Sequence, residues 1–411
     1  MEVWFAAGQY EKYGNAPPFE AKTHPAVSAR TEPFQMRVPK YYVPWDARQG
    51  VIALRRKDKE LAICRCGFVL AGIYFRVHNA TELQVPVALK VMDRNQIVAQ
   101  RDDVENEIRV MAQLQMGGVD APLSNAYMIR WEYAGDEYNQ YIATEFVANG
   151  SLFSFAHGRI RQLMVEHLEN FVKEYGEGPS KLECISYVYR GSGHEWMRES
   201  LRIFVGIMRA LTYLHAQNVA HLDLDIYNIA VDKRHSPRII DLGSSQLMDH
   251  RGFVGAGDVG IKCKPTFVAP EVRVHSRKPP PRPGFHGASA DMWAAGVVVS
   301  ERLFTSGCRP AGWINILVQC IVWGFRGGPA YLTSSPNWRR EVFTHIDAAC
   351  DPKACHFCEN FISIPPLIGA IVKQLLHLDP RMRPSAYEVA IALQENRPVE
   401  LFPPHPSNHR R

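Results

Sequence analysis

Three polar side chains in the second half of the chain could together hold a metal ion and orient a hydroxyl group. Asp223 and Asn228 lie five residues apart, and Asp241 follows the apolar pair at 239–240. Because Asp223 and Asn228 stand at the two ends of one short loop, their side chains can converge on one site. The apolar pair predicts a buried strand that ends near Asp241. Carboxylate and amide oxygens are ligands that Mg²⁺ prefers, although Asp and Asn are also ordinary turn residues.

The spacing of these residues resembles the catalytic loop and the metal-binding triplet of the protein kinases. Residues 221–228 read HLDLDIYN, where kinases have H-R-D-L-x-x-x-N, and residues 241–243 read DLG, where kinases have D-F-G. The resemblance implies transfer of the γ-phosphoryl group of ATP to a protein hydroxyl. In that reaction Asp223 would orient the hydroxyl, and Asn228 and Asp241 would hold Mg²⁺.

A lysine and a glutamate in the first half of the chain extend the resemblance. Residues 85–91, VPVALKV, match the kinase strand written V-A-I-K, which implies that Lys90 binds the α- and β-phosphates of ATP. Residues 104–114 carry apolar side chains at helical spacing. Within this predicted helix Glu107 resembles the glutamate that fixes the lysine ammonium, and Glu105 is the alternative. Taken alone, Lys90 would be a solvated lysine at a strand end.

The adenine contacts are implied by the same resemblance. The Glu145 carbonyl and the Val147 backbone would meet the adenine edge, and Ala88 and Ala230 would lie on the two faces of the ring. Both alanines are small, so we expect a roomy adenine slot.

The glycine-rich loop of the kinases has no match in this chain. Residues 64–69 read CRCGFV, with a single glycine at a position that does not fit G-x-G-x-x-G. Glycines let backbone N–H groups approach phosphate oxygens closely. We therefore expect weaker binding of ATP, or a cap supplied by other residues such as Arg65.

Two further departures affect the catalytic loop. Leu222 replaces the arginine that couples the loop to a phosphorylated activation segment, and the segment at 246–265 contains no Ser, Thr or Tyr. We therefore expect activity that does not depend on phosphorylation of this segment. Asp225 stands where serine/threonine kinases usually carry a lysine that neutralises the γ-phosphate, so a basic residue must offset it. Lys262 and Lys264 are the candidates.

Motifs in the last third of the chain support the same fold. Residues 268–271 match A-P-E, and residues 291–296 match D-x-W-x-x-G. The arginine of D-P-x-x-R-P is Arg383, for which the resemblance implies a buried salt bridge with Glu271. Apolar spacing predicts a core helix over about 197–217.

The resemblance runs from about Leu61 to Leu393 and implies an α+β, two-lobed protein kinase fold. The small lobe would be an antiparallel β lobe with one helix, and the larger lobe mainly α-helical. The region before the first lobe contains Tyr41, Tyr42 and Trp45, so it either packs on that lobe or hangs free. We expect an N-terminal extension at 1–48, a first lobe at 49–148, a second lobe at 149–400 with inserts near 157–196, 274–288 and 330–362, and a tail at 401–411.

Composition favours an intracellular, cytoplasmic globular protein. The chain has 411 residues, 46% hydrophobic, with no run of eighteen apolar residues and no signal-peptide pattern at its start. We therefore expect no membrane partner. Nine scattered cysteines indicate reduced thiols. Because the net charge is only +5 and basic residues are dispersed, no nucleic-acid partner is expected. Protein substrates are the expected partners.

Two local signals stand apart from the kinase pattern. Residues 279–283 form a proline-rich stretch that could adopt polyproline II and bind an SH3-type groove, or form a stiff exposed loop. Zinc needs about four Cys or His ligands in tetrahedral reach, but cysteines are also common in apolar cores. The zinc candidates are Cys350, Cys355, His356 and Cys358.

The missing glycines and the HLDL sequence together are similar to the FIKK kinases, a divergent parasite group, although Lys90 does not lie in a Phe-Ile-Lys-Lys sequence. That resemblance implies phosphorylation of parasite or host-cell proteins and export into a host cell. The alternative function is a pseudokinase that binds nucleotide or partners without turnover. The missing glycines and Asp225 favour this alternative. We favour catalysis, with serine or threonine as the acceptor, because all five polar positions that handle nucleotide and metal are filled by the expected residue types.

Overall fold

The computed structural model describes residues 19–24, 34–46, 50–54, 60–75, 85–116, 131–176, 181–255, 264, 267–277, 283–300 and 366–399. Helices in these ranges are too short or too polar to cross a membrane. The chain forms two compact units, the first made of residues 1–108 and 129–147 and the second of residues 109–128 and 148–411.

The first unit is built on an antiparallel sheet of seven strands. A separate two-stranded hairpin precedes it, formed by β1 (Phe19–His24) and β2 (Phe34–Pro39). The sheet has the order β3-β4-β6-β7-β9-β8, with β5 paired to β6. Its strands are β3 (Tyr42–Asp46), β4 (Gly50–Leu54), β5 (Ala62–Cys64), β6 (Gly67–Phe75), β7 (Val85–Asp93), β8 (Trp131–Gly135) and β9 (Asn139–Glu145).

Alternation along β7 places the core of this unit and the Lys90 side chain on opposite faces of the sheet. Val87, Leu89 and Val91 belong to the buried cluster that holds the sheet together. Successive side chains of a strand point to opposite faces. Ala88 and Lys90 therefore lie on the face opposite that cluster.

The described residues before position 49, which are 19–24 and 34–46, include parts that pack on the sheet of the first unit. Val43 of β3 pairs with Ile52 of β4, and Met36 and Val38 of β2 belong to the same buried cluster as Leu89. The sequence left open whether this region packs or hangs free. Of its described strands, β3 forms one edge of the sheet, and the separate β1–β2 hairpin contributes Met36 and Val38 to the buried cluster.

Two helices follow β7. They are α1 (Arg94–Gln100) and α2 (Val104–Met116), and α2 belongs to the first unit up to Ile108. Asp93 caps α1, since its side chain accepts a hydrogen bond from the Gln96 N–H. The predicted helix over 104–114 is thus present, and Val104, Met111 and Leu114 are buried as its apolar spacing requires.

The second unit begins with two long helices, α3 (Leu152–Tyr175) and α4 (Lys181–Ala216). The predicted start of the core helix near residue 197 was wrong, because α4 begins at Lys181. The additional turns pack against α3: the rings of Phe171 and Tyr187 lie 5.2 Å apart, and those of Phe155 and Trp196 lie 6.3 Å apart. Aromatic contacts between the helices therefore extend α4 into the region expected as an insert.

The rest of the second unit is mainly helical with short strand pairs. Helix α6 is buried along nearly all of its described length, including its polar residues Ser289 and Asp291. The elements are β10 (Val219–Ala220), β11 (Ile229–Val231), β12 (Pro237–Ile239), β13 (Gln246–Leu247), β14 (Phe253–Val254), α5 (Pro270–Arg277), β15 (Phe285–His286), α6 (Gly287–Ser300), α7 (Pro366–Leu375), a 3₁₀ turn (Pro380–Met382) and α8 (Ala386–Glu395).

The predicted salt bridge between Arg383 and Glu271 is present. The guanidinium nitrogens lie 2.7 and 3.0 Å from the two carboxylate oxygens. Arg383 also donates to the carbonyls of Ser289 and His377, both at 2.8 Å, and stacks over the Trp293 ring. The first unit with its antiparallel sheet and the mainly helical second unit confirm the predicted α+β fold.

Candidate active site

In the first unit, Lys90 of β7 pairs with Glu107 of α2. The lysine Nζ lies 2.9 Å from Oε2 and 3.0 Å from Oε1 of the glutamate. The Glu107 side chain is only 4% exposed and that of Lys90 18% exposed. Because a charge this deeply buried needs a partner, the pair holds the Lys90 ammonium in place. The alternative residue, Glu105, is exposed.

Residues 64–67, in the window compared with the glycine-rich loop of the kinases, form a tight hairpin turn in the first unit. Cys64 of β5 pairs with Gly67 of β6, so only Arg65 and Cys66 form the turn. The Cys66 carbonyl accepts a hydrogen bond of 2.9 Å from the Asp93 N–H. A Cβ atom on Gly67 would lie 1.9 Å from the Val91 carbonyl oxygen. Gly67, the first residue of β6 after the turn, therefore lets β6 and β7 pack closely.

Asp102 holds the tip of this hairpin. Its carboxylate oxygens lie 3.4 Å from an Arg65 guanidinium nitrogen and 3.4 Å from the Cys66 Sγ. Burial, followed by the charge of Asp102, raises the pKa of the Cys66 thiol to about 12. Arg65, which the sequence offered as a phosphate cap, thus has a carboxylate partner within its own unit. Asp102 had no signal in the sequence.

The residues expected at adenine lie on both units. In the first unit Ala88 shares the Lys90 face of β7 and pairs with Thr144 of β9. Glu145 ends β9 with an exposed side chain, and Val147 follows it. In the second unit Ala230 is buried in the middle of β11 and bridges to Ser151.

The loop at 221–228 in the second unit is held by hydrogen bonds to one buried aspartate, Asp291 of α6. Its Oδ1 accepts the Leu222 N–H at 2.7 Å, and its Oδ2 accepts the His221 N–H at 2.8 Å. His215 also contacts Oδ2, at 2.9 Å. Leu222 has φ 62°, a left-handed conformation that costs roughly 1–2 kcal/mol for an ordinary residue. Hydrogen bonds to a charged acceptor offset that cost.

Within this loop Asn228 and Asp223 contact each other directly. The Asn228 amide nitrogen donates to the Asp223 carbonyl at 2.8 Å and to its Oδ2 at 3.0 Å. Because a side-chain amide has two N–H donors, these bonds leave its oxygen as the atom that can face a metal ion. The loop turns around Asp225, whose Oδ1 accepts the N–H groups of Tyr227 and Asn228 at 2.6 and 2.9 Å.

Asp241 is brought beside this loop by the β11–β12 pair. Ile229 pairs with Ile239, and the Ile240 N–H donates to the Asn228 carbonyl at 2.9 Å. Asp241 itself is exposed and has φ 62°, which aspartate tolerates better than most residues. Its Oδ1 accepts the Gly243 N–H at 3.3 Å. The left-handed residue of this turn is therefore Asp241.

The donor set of Asn228 and Asp241 fits a magnesium ion that arrives with phosphates. Mg²⁺ is commonly bound by one or two carboxylates together with waters and substrate phosphates. Among the described residues, no group of three or more His, Cys, Asp and Glu side chains could hold a metal ion. Two oxygen donors from the protein therefore fit Mg²⁺ whose remaining ligands are waters and the phosphates of ATP.

Lys264 is the basic residue that lies against the acidic loop. Its Nζ forms an ion pair with Asp225 and lies 3.7 Å from the Asp223 Oδ2, and its backbone N–H donates to the Asp223 Oδ1 at 3.1 Å. Burial works to lower the pKa of the Lys264 ammonium, but the charges of Asp225 and Asp223 outweigh it and raise that pKa. Burial also raises the pKa of the Asp223 carboxyl. The sequence offered Lys262 and Lys264 equally.

Several predictions fall outside the described residues. They concern Lys262, the zinc candidates Cys350, Cys355, His356 and Cys358, the insert at 330–362, the tail at 401–411 and most of the proline-rich stretch at 279–283.

Comparison with known proteins identifies one family. A model described as the protein kinase domain matches residues 71–392. The match begins after the hairpin turn of Arg65 and Cys66.

Among similar curated proteins, CBL-interacting protein kinase 33 of Oryza sativa subsp. japonica is 26% identical over 236 residues, which cover 56% of this chain and 40% of the relative. CBL-interacting serine/threonine-protein kinase 17 of Arabidopsis thaliana is 30% identical over 193 residues, covering 44% and 40%. CBL-interacting serine/threonine-protein kinase 20 of the same plant is 25% identical over 298 residues, covering 71% and 53%. The matched regions span only about two-fifths to one half of these relatives.

Proposed function

Because the chain belongs to the protein kinase family, we propose that it transfers the γ-phosphoryl group of ATP to a hydroxyl group of a protein substrate. One observation carries the proposal: the Asp223 carboxylate is fixed by Asn228 and by the Lys264 backbone, and Asp241 follows the strand paired beside that loop. Serine or threonine is the proposed acceptor, since two of the relatives are named serine/threonine-protein kinases.

Asp223 is the proposed base. Its carboxylate would accept a hydrogen bond from the substrate hydroxyl and so aim the hydroxyl oxygen at the γ-phosphorus. As the new O–P bond forms, the hydroxyl proton passes to Asp223, and the bond to the β–γ bridging oxygen breaks to release ADP. The contacts from Asn228 Nδ2 at 3.0 Å and Lys264 N at 3.1 Å restrict the carboxylate to one orientation, which favours this alignment.

Lys90 is the proposed partner of the ATP phosphates. Its ammonium would bind the α- and β-phosphate oxygens, while Glu107, 2.9 Å away, keeps it from turning to other acceptors. Asn228 and Asp241 would hold Mg²⁺, which supplies charge neutralisation at the phosphates when bound. Ala88, Ala230, Glu145 and Val147 are the proposed adenine contacts.

We propose that this activity does not require phosphorylation of the segment at 246–265. The segment has no hydroxyl side chain, and Leu222 cannot bind a phosphate as the usual arginine would. The contacts from Lys264 to Asp223 and Asp225 support this proposal, since they tie the segment to the catalytic loop without a phosphate.

The second candidate is a pseudokinase that binds nucleotide or partners without turnover. The hairpin tip favours it, because Asp102 engages the Arg65 side chain that would otherwise be available to a phosphate. The similarity to FIKK kinases, with the host-cell export it implies, stays a prediction from the sequence. The same is true of a cytoplasmic location.

Transfer of radiolabelled phosphate from ATP to a generic protein substrate distinguishes the two functions. We expect transfer by the wild type and a loss of about 10²–10⁴-fold for Asp223→Asn, the range over which a positioned base contributes. Asp249→Asn, an exposed turn aspartate of the same unit, is the matched control and should keep activity. Nucleotide binding without transfer by the wild type would favour the pseudokinase.

A further inference from the structure

The catalytic loop carries an excess of negative charge where a phosphoryl group must approach. Asp223 and Asp225 are two residues apart, and the Asp225 side chain is fully buried. A phosphoryl group is itself negative, so two carboxylates would repel it unless a cation lies beside them. In the described part of the chain, Lys264 is a cation that lies beside both of them.

Lys264 is held at this place by both its main chain and its side chain. The backbone N–H reaches the Asp223 Oδ1 at 3.1 Å, and the ammonium pairs with Asp225 and lies 3.7 Å from the Asp223 Oδ2. Asp225 is in turn fixed by the Tyr227 and Asn228 N–H groups. The ammonium is thus tethered on one side by a rigid carboxylate.

The Lys264 side chain remains accessible. It is 45% exposed, whereas Asp225 is 0% exposed and Asp223 16% exposed. This exposure leaves the side chain within reach of a ligand that arrives from solvent. An ammonium has three N–H donors, so one that is fixed by Asp225 can still offer a hydrogen to an incoming anion.

We propose that Lys264 is a catalytic residue whose ammonium binds the transferred γ-phosphoryl group, with Asp225 as the positioning residue that aims it. This inference rests on the proposed function, in which ATP is the phosphoryl donor. The cation would then come from the activation segment instead of the catalytic loop, where serine/threonine kinases usually carry it.

The first test compares binding of a non-hydrolysable ATP analogue with binding of ADP, which lacks the γ-phosphate. In the presence of Mg²⁺, calorimetry of Lys264→Met should show an affinity for the analogue about 10-fold lower, with ADP unchanged, as expected for one lost charge-assisted contact. Lys264→Arg should keep the preference. Lys233→Met, an exposed lysine of the same unit, is the matched control.

The double variant Asp225→Asn with Lys264→Met separates catalysis from structure. The introduced asparagine would retain an oxygen for the two loop N–H groups, and no buried charge would be left unpaired. We expect the thermal midpoint of the double variant to lie closer to the wild type than that of Lys264→Met alone. Its kcat should stay about 10²-fold below that of the wild type, the size of effect known for a lost transition-state donor.

Two results would overturn the inference. One is an unchanged preference for the ATP analogue over ADP in Lys264→Met, and the other is recovery of kcat together with stability in the double variant. The binding test also keeps the two proposals apart. One outcome is that the wild type binds the analogue more tightly than ADP, with a preference that depends on Lys264, and yet transfers no phosphate. That result would contradict the proposed function, while the contact between Lys264 and the γ-phosphate would stand.

Discussion

Arg383 places two nitrogens on the two carboxylate oxygens of Glu271, at 2.7 and 3.0 Å, although 112 residues separate them in the sequence. The arginine side chain is fully buried. Removing the glutamate would leave that charge without its partner.

We therefore expect Glu271→Ala to lower the free energy of unfolding by about 3–5 kcal/mol, measured by urea denaturation. Glu395→Ala breaks an ion pair with Arg397 that is about half exposed on both sides and should leave the unfolding midpoint unchanged. Equal effects of the two variants would contradict a structural role for the buried pair.

Lys90→Met should weaken binding of ATP, because the proposed phosphate partner is lost. Glu107→Gln should act in the same direction and more weakly, since it frees the ammonium without removing it. We expect a fall in kcat/KM for ATP of about 10²-fold or more for Lys90→Met, in line with a lost charge on the phosphates. Steady-state kinetics measure this, with the exposed Lys173→Met as control. Unchanged kinetics in Lys90→Met would count against the phosphate role.

Gly67→Ala should destabilise the first unit, because the added Cβ would lie 1.9 Å from the Val91 carbonyl oxygen. We expect a loss of about 1–3 kcal/mol, as for other overpacked positions. Gly158→Ala is the matched control: it lies in helix α3 with no neighbouring atom within 4 Å of the new Cβ. That change should stabilise by roughly 0.5–1 kcal/mol. A neutral Gly67→Ala would show that the two strands can separate at little cost.

The Cys66 thiol should resist alkylation in the folded protein. Its pKa is raised to about 12 from the ordinary value of 9.0, so it stays protonated at pH 8, and the thiolate is the reactive form. The pKa of this thiol is higher in the folded than in the unfolded protein. Its contribution to the free energy of unfolding is therefore fully present below pH 9 and is lost as the pH rises towards 12. Iodoacetamide labelling followed by peptide mass spectrometry tests the first point, with the less buried Cys184 as comparison. Rapid labelling of Cys66 at pH 8 would contradict it.

Phosphatase treatment should leave the activity unchanged. The segment at 246–265 offers no hydroxyl to phosphorylate, and Lys264 already joins it to the loop. Activity is compared between treated protein and protein incubated with inactivated phosphatase. A loss confined to the treated sample would point to Ser244, Ser245 or Thr266, which flank the segment.

Much of the fold and the candidate site could be predicted from the sequence, because the motifs are short and their spacing is set by local geometry. Asp223 and Asn228 share one loop, and the position of Glu107 follows from the period of one helix. The start of α4 could not be predicted, since its first turns depend on ring contacts between Tyr187 and Phe171 of another helix.

The choice between Lys262 and Lys264 was also beyond the sequence. It depends on which of two nearby lysines meets Asp225, a contact across about 40 residues. Asp102 was missed for the same reason, because its partners Arg65 and Cys66 lie on a distant hairpin.

Strand β3 has a practical consequence for the design of shortened proteins. A fragment that began at residue 49, where the kinase lobe was expected to start, would lose β3 and turn β4 into the border of the sheet. The N–H and C=O groups that now pair with residues 42–46 would then be open to other molecules, and exposed strand borders of this kind promote aggregation. Expression of the catalytic region should therefore start ahead of Phe19, so that strands β1, β2 and β3 are included together with the first unit.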